Sequence, residues 1–152
     1  MGSRKKANKG KSKGRRSTPR EMHQQAIGLY REGRMKEALE KLQVVLKAEE
    51  NSERWNDWAA VQHALGSAQN AEAGFRKALD LDKNNQEAAA NLGCVLVGLG
   101  RHSEAAPFLH VALNTTNDAQ RAAVQKLMAQ SAQATKAAEI AAGSKKAQGS
   151  PL

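Results

Sequence analysis

The sequence predicts an all-α protein built from a helical repeat. Aromatic residues make up only 3% of the 152 residues, while alanine recurs throughout, and this composition favours closely packed helices over a sheet core. The chain also aligns with itself, because Ala38, Ala71 and Ala105 occupy matching positions 33 and then 34 residues apart. A period of this length indicates stacked helical hairpins.

Each repeat is predicted to be a helix, a tight turn and a second helix. Gly33, Gly66 and Gly100 end the first helices, and at Gly100 we expect a positive φ. The second helices align as KEALEKLQVVLKAEEN (36–51), AEAGFRKALDLDKNN (71–85) and SEAAPFLHVALNTTND (103–118). The repeats therefore span about residues 19–51, 52–85 and 86–118.

After the third repeat, residues 118–143 are predicted to form one long helix, with Asn117 or Asp118 able to cap its start. A stack of repeats needs such a terminal element, because each repeat buries its apolar side only on a neighbour. The predicted apolar stripe of this capping helix consists of Ala123, Val124, Leu127, Met128, Ala132 and Ala134.

Charge separates the folded part from its tails. The net charge is +9, and residues 1–20 alone hold nine Lys or Arg and no acid, whereas the other residues hold 15 basic and 15 acidic side chains. Residues 1–18 offer too little apolar surface to offset the entropy of ordering. We therefore expect a disordered basic tail at 1–18, a folded domain at 19–143 and a second disordered tail at 144–152.

The repeats resemble the tetratricopeptide repeat (TPR) family. The second repeat supplies Trp55, Trp58 and Ala59 in its first helix, and the third supplies Leu92 and Gly93 at the equivalent positions. Alanine followed four residues later by Phe75 or Leu109 matches the family's second helix. The resemblance implies a right-handed superhelical stack of three units. It also implies that helices approach so closely at Gly93 that a Cβ is tolerated there but nothing bulkier.

The resemblance further implies a non-catalytic adaptor that binds a peptide or partner protein in a concave groove. The lining expected from the family's groove positions is small, mixed and weakly charged. We expect Tyr30 and Val97 to offer apolar contact, and Asn56, His63 and Asn91 to offer hydrogen bonds to the partner. Use of the convex face remains the alternative. The groove residues are His23, Gln24, Ile27, Tyr30, Asn56, Asp57, Ala60, His63, Ala90, Asn91, Cys94 and Val97.

One TPR ligand class is not expected. Family members that grip the acidic C-terminal tail of heat-shock chaperones use lysine, asparagine and arginine at set groove positions. Here His23 and Ile27 stand at the lysine and asparagine positions of the first repeat, and Glu87 and Asn91 stand at the later basic positions. Two asparagines alone cannot neutralise a dicarboxylate, so the sequence argues against chaperone-tail binding.

The basic tail supports a second hypothesis, an RNA- or ribosome-associated factor with the repeats as scaffold. Lysine and arginine without aromatics contact phosphates non-specifically, in a salt-dependent manner. An acidic protein, anionic lipid, a nuclear import receptor or no partner at all are the alternatives for this tail. Its polyanion-binding residues are Arg4, Lys5, Lys6, Lys9, Lys11, Lys13, Arg15 and Arg16.

The sequence contains no pattern of catalytic residues, so we expect no enzyme activity, no cofactor and no metal. His63 and Cys94 fall at neighbouring first-helix positions, but a packing role is the preferred interpretation of both. Cys94 is the only cysteine, which indicates a reducing compartment. With no apolar run near 18 residues, we expect a cytoplasmic protein, or a nuclear one if the source is eukaryotic.

Overall fold

The computed structural model describes residues 16–115 and 117–148, and it contains seven helices and no strand in these ranges. This confirms the all-α prediction. The predicted tail residues 1–15 and 149–152 lie outside the described residues. The helices are α1 (Pro19–Arg31), α2 (Met35–Ala48), α3 (Ser52–Ala64), α4 (Ala68–Leu81), α5 (Gln86–Gly98), α6 (His102–Ala112) and α7 (Asp118–Gln148).

The helices form a stack of three hairpins, α1–α2, α3–α4 and α5–α6, followed by α7. Each helix packs on the next one in the chain, and α1 also contacts α3, α3 contacts α5, and α5 contacts α7. The first helices of the repeats and α7 therefore make up one layer, which we call the inner layer, and α2, α4 and α6 lie outside it. No helix among the described residues is both long and apolar enough to span a membrane.

The turn inside each hairpin has the same geometry. Gly33, Gly66 and Gly100 have φ values of 79°, 78° and 74°, which a residue without Cβ adopts readily. In the first turn the N–H of Gly33 donates to the carbonyl of Tyr30 at 3.0 Å and that of Arg34 to Leu29 at 2.9 Å. This pair of bonds is a Schellman motif. The N–H groups of Gly66 and Gly100, and of the residue after each, make equivalent hydrogen bonds. The three turns therefore recur in the backbone at the predicted spacing.

Side-chain caps begin the inner helices. Asn51 Oδ1 accepts the Arg54 N–H at 2.9 Å at the start of α3, and Asn85 Oδ1 accepts the Ala88 N–H at 2.9 Å at the start of α5. At α1 the Thr18 hydroxyl and the Glu21 carboxylate cap each other's backbone N–H groups. The disordered tail predicted from the sequence includes Thr18. The structure differs at this residue, because Thr18 forms a capping box with Glu21 around Pro19.

Glycine makes room for large side chains between the two helices of a repeat. A Cβ built on Gly93 would lie 2.3 Å from Cδ2 and 2.8 Å from Cγ of Leu109, a buried α6 residue. The expectation that a Cβ is tolerated at Gly93 is therefore wrong, because the leucine side chain occupies that space. Gly74, which the sequence analysis did not single out, does the same in the second repeat: its Cβ would lie 2.8 Å from the Trp58 ring.

The last helix differs from the prediction in length and in its buried face. It ends at Gln148 rather than 143, because no residue in this segment breaks the helix, and the Ser144 hydroxyl donates to the Ile140 carbonyl at 2.9 Å. Val124 and Ser131 are buried, whereas Ala132 and Ala134 are exposed, as is Ala123. The predicted stripe therefore drifts away from the contact face, which passes through Ser131. Residues 136–145 are all exposed.

Ion pairs connect the outer helices. Arg101 Nε and Nη2 each donate to the Glu104 carboxylate at 2.7 Å, and Arg101 Nη1 donates to Glu72 at 2.6 Å. Arg76 also bonds Glu72, at 2.9 Å, and its guanidinium lies 5.4 Å from the centre of the Phe108 ring. These bonds hold the pKa of Glu72 and that of Glu104 below the usual value, chiefly through the Arg101 hydrogen bonds. The network joins α4 to α6 across two repeats.

Candidate partner-binding groove

The twelve predicted groove residues all lie on inner-layer helices, four each on α1, α3 and α5. Most are at least partly exposed, and Gln24, His63 and Cys94 are exposed. The structure brings two pairs of them into direct contact across repeats, His23 with Asp57 and Asn56 with Asn91. The two ends of this surface differ in chemistry.

At the α1–α3 end lies a polar cleft of about 800 Å³. His23, Gln24, Ile27 and Asp57 line it, as predicted groove residues. The other lining residues are not predicted from the sequence, because they lie at helix ends and in the α2–α3 loop rather than at the central positions that the repeat pattern marks. These residues are Arg20, Arg31, Glu49, Asn51, Glu53 and Arg54.

His23 and Asp57 form the closest polar contact in this cleft. His23 Nε2 lies 2.7 Å from Asp57 Oδ2, and their side chains are 12% and 22% exposed. Burial raises the pKa of Asp57 above its ordinary value, the hydrogen bond from His23 opposes this, and the nearby carboxylates of Glu87 and Glu53 add to the rise. The Asp57 carboxylate is therefore partly shielded from water and lies near the carboxylates of Glu53 and Glu87.

Arg54 forms the floor of the same cleft. Its side chain is 7% exposed, and its Nη1 donates to the Glu49 carbonyl and contacts the Glu49 carboxylate, both at 2.9 Å. A buried guanidinium needs such a partner, because removing its charge from water is unfavourable. Arg54 therefore fixes the α2–α3 loop against α3.

Asn56 and Asn91 occupy the middle of the surface. Asn91 Nδ2 donates to Asn56 Oδ1 at 3.0 Å, and Asn56 is only 2% exposed. Both amides are predicted to bond a partner. The structure shows Asn56 enclosed beside α5 with its oxygen already bonded, so that oxygen is not free for a partner. Asn91, at the edge of a second cleft, keeps some exposure.

The α5–α7 end is smaller and more apolar. A cleft of about 450 Å³ contains the predicted residues Ala90, Asn91 and Cys94. Its far wall comes from α7, which the sequence analysis treated only as a cap. That wall is formed by Gln120, Ala123, Val124, Lys126, Leu127 and Gln130.

The predicted polyanion-binding tail is almost entirely outside the described residues. Arg4, Lys5, Lys6, Lys9, Lys11, Lys13 and Arg15 lie there. Arg16 precedes α1 and is exposed.

The chain is similar in sequence and in fold to known repeat proteins. Residues 62–131 match the sequence model described as tetratricopeptide repeat, and the search of curated proteins found no match. Among solved structures, the TPR2B-domain:pHsp70 complex of yeast Sti1 is similar at a TM-score of 0.70 and 18% identity, with 76% of this chain and 96% of that chain covered.

Two further structures have the same fold. The type III secretion chaperone SycD of Yersinia enterocolitica, in complex with a peptide of the translocator YopD, has a TM-score of 0.70 and 16% identity, over 75% of this chain and 92% of that one. The Arabidopsis OM64 TPR domain has a TM-score of 0.66 and 24% identity, over 74% and 95%. The superhelical stack predicted from the sequence is thereby confirmed.

Proposed function

We propose that this chain, whose residues 62–131 match the tetratricopeptide repeat model, is a non-catalytic adaptor that binds a segment of a partner protein in the groove of its inner layer. The observation that carries the proposal is the pair of clefts between successive inner helices, one between α1 and α3 and one between α5 and α7. Two of the similar solved structures are complexes, one with pHsp70 and one with a YopD peptide.

The chemistry of the two clefts suggests what kind of segment would fit. The α5–α7 cleft offers mainly small apolar side chains and could hold one or two apolar anchors. The α1–α3 cleft offers arginine, histidine and carboxylate groups and could hold polar or charged groups of either sign. The segment that fits both is amphiphilic along its length, with apolar anchors at one end and hydrogen-bonding groups at the other.

We do not propose an acidic chaperone tail as this segment. Glu87 stands at a position where the clamp needs a cation, and its carboxylate is near enough to raise the pKa of Asp57. Asn56, which the clamp hypothesis would use as a donor, is enclosed and bonded to Asn91. A dicarboxylate at the clamp positions would meet the like charges of Glu87 and Asp57, whereas the arginines of the α1–α3 cleft lie at other positions.

Charge-matched variants test the groove. His63→Glu with Cys94→Glu adds two negative charges at exposed inner-layer positions, and Gln43→Glu with Ala73→Glu adds two at exposed positions of the outer helices. Pulldown with mass spectrometry should lose a defined partner set for the first variant and keep it for the second. Loss only for the second variant would argue for the convex face, and equal retention by both would contradict binding at these groove positions.

A second candidate function follows from the segregated charge, nine cations in residues 1–20 beside an otherwise balanced chain. Here the tail would hold RNA or the ribosome, and the repeats would serve as scaffold. Deleting residues 1–16, which leaves the Thr18 cap of α1 in place, should then abolish a pulldown of RNA that weakens steeply with salt, because phosphate contacts release counterions. Partners that survive this deletion but not the groove variant belong to the adaptor function.

A further inference from the structure

We propose that His23, Glu53 and Asp57 form a binding site for a divalent transition-metal cation, with Zn²⁺ as the best match. His23 Nε2 and one carboxylate oxygen each from Glu53 and Asp57 all lie within 4.8 Å of one another. The proposal does not depend on the adaptor function, since it concerns what these three side chains can bind.

Helix geometry explains why the three groups converge. Glu53 and Asp57 are four residues apart on α3 and therefore share a face of that helix. α1 packs beside α3 and directs His23 at the same face, so that its Nε2 already lies 2.7 Å from Asp57 Oδ2. No metal-ligand spacing is visible in the sequence, because the site combines an i, i+4 pair with a residue 30 positions earlier in another repeat.

The distances suit a small cation. Zn²⁺ binds nitrogen and oxygen ligands at about 2.0 to 2.2 Å, so tetrahedral ligands lie about 3.5 Å from one another. To bind Zn²⁺, the donor atoms that now lie up to 4.8 Å apart have to move closer together. The 2.7 Å distance between His23 Nε2 and Asp57 Oδ2 has to lengthen slightly. Glu53 is exposed, so rotation about its side-chain bonds can bring its carboxylate inward while α1 and α3 stay in place.

The ligand types select the class of metal. Imidazole nitrogen and carboxylate oxygen are both ligands of Zn²⁺ and its neighbours, whereas Mg²⁺ and Ca²⁺ prefer oxygen ligands alone. Three protein ligands leave a fourth position open toward the 800 Å³ cleft. Water, or a donor atom from a bound segment, could complete the coordination there.

The two carboxylates at the site itself favour a cation, although arginines line the wider cleft. The carboxylates of Glu53 and Glu87 lie near that of Asp57, so these like charges repel one another in the free protein. Arg20, Arg31 and Arg54 line the same cleft, but Arg54 is paired with Glu49. A divalent ion between His23, Glu53 and Asp57 would relieve the repulsion at its centre. It would also tie repeat 1 to repeat 2.

The test is calorimetric titration of the full chain with Zn²⁺, together with the visible absorption of Co²⁺ as a reporter of coordination geometry. The wild type should bind one Zn²⁺ with micromolar or tighter affinity, give a tetrahedral Co²⁺ spectrum and melt at a higher temperature with Zn²⁺. Mg²⁺ should not compete. Loss of any one ligand, by His23→Gln, Glu53→Gln or Asp57→Asn, should weaken Zn²⁺ binding by at least about tenfold.

Two controls keep the result decisive. His63→Gln removes an exposed histidine on the same helix as Glu53 and should leave affinity unchanged. Glu53→Gln changes an exposed residue outside the His23–Asp57 bond, so a folding defect would not explain its effect. Absence of Zn²⁺ binding by the wild type would overturn the proposal. So would wild-type affinity in Glu53→Gln and His23→Gln, or an equal loss in His63→Gln.

Discussion

Asn91 on α5 donates its side-chain amide to the oxygen of Asn56 on α3 at 3.0 Å, and this bond links two repeats at the middle of the groove. Asn56 is 2% exposed, so its oxygen has no ready access to water. The bond therefore supports the packing of α5 on α3. At this point a groove residue also contributes to the stability of the stack.

Replacing Asn56 by alanine should destabilise the protein by about 1 to 2 kcal/mol, because a buried polar pair is broken and a small void remains. Asn91→Ala should have a smaller effect, since Asn91 is partly exposed. Urea unfolding followed by circular dichroism measures both. A double-mutant cycle should give a coupling energy near the size of one hydrogen bond, about 1 kcal/mol. Strict additivity would show that the two amides do not interact.

Gly93→Ala should destabilise the protein by about 1 to 3 kcal/mol even though alanine is the better helix former, because the added Cβ would overlap Leu109. Gly28→Ala is the matched control: a Cβ at Gly28 in α1 meets no atom within 4 Å, so this change should be neutral or stabilising. In a Leu109→Ala background the Gly93→Ala penalty should disappear. Equal thermal stability of Gly93→Ala and Gly28→Ala would contradict this packing.

Truncation should divide α7 into a required and a dispensable part. Deleting residues 137–152 should change stability by less than about 1 kcal/mol, since residues 136–145 are exposed. Deleting 118–152 removes Val124 together with Leu127 and Met128, which pack on the core, and should cause unfolding or aggregation. Thermal melts and light scattering measure the two outcomes. A large loss from the shorter deletion would show that the exposed end is held by contacts elsewhere.

Acid should weaken the outer ion network. The pKa values of Glu72 and Glu104 are lowered in the folded protein by hydrogen bonds from Arg101. Stability from these carboxylates is therefore present above their unfolded pKa of about 4.5 and is lost as the pH falls through their lower folded values. Thermal melts between about pH 6 and pH 3 should show the decline. Glu72→Gln with Glu104→Gln should be less stable at neutral pH and lose less on acidification.

The repeat architecture could be predicted from the sequence because it depends on periodic features. Ala38, Ala71 and Ala105 set the register, and the turn glycines recur with it, so the fold class and the stack followed from the chain alone. The repeat pattern also identified the inner-layer helices. These features are local or repeat at fixed spacing, which is what one sequence can reveal.

The contacts between repeats could not be predicted in the same way. That Asn56 is enclosed by Asn91, and that His23 meets Asp57, depends on the rotation of one hairpin against the next. The α7 contact face passes through Ser131, whose hydroxyl lies 3.1 Å from Nδ1 of His102, and a hydrophobic pattern does not mark a serine. Two features of the sequence do indicate such contacts. One is the spacing of Thr18 and Glu21, which is that of a capping box, and the other is an arginine followed three residues later by a glutamate after both Gly33 and Gly100.

The most direct test of groove binding uses Cys94, the only cysteine of the chain, which is exposed on α5. A cysteine-reactive photocrosslinker on Cys94 should capture one defined segment of a partner, identified by mass spectrometry. The same reagent on the Cys94→Ser, Ala73→Cys variant, which places it on outer helix α4, should capture little of that segment. Equal capture from both positions, or capture only from position 73, would contradict binding in the groove.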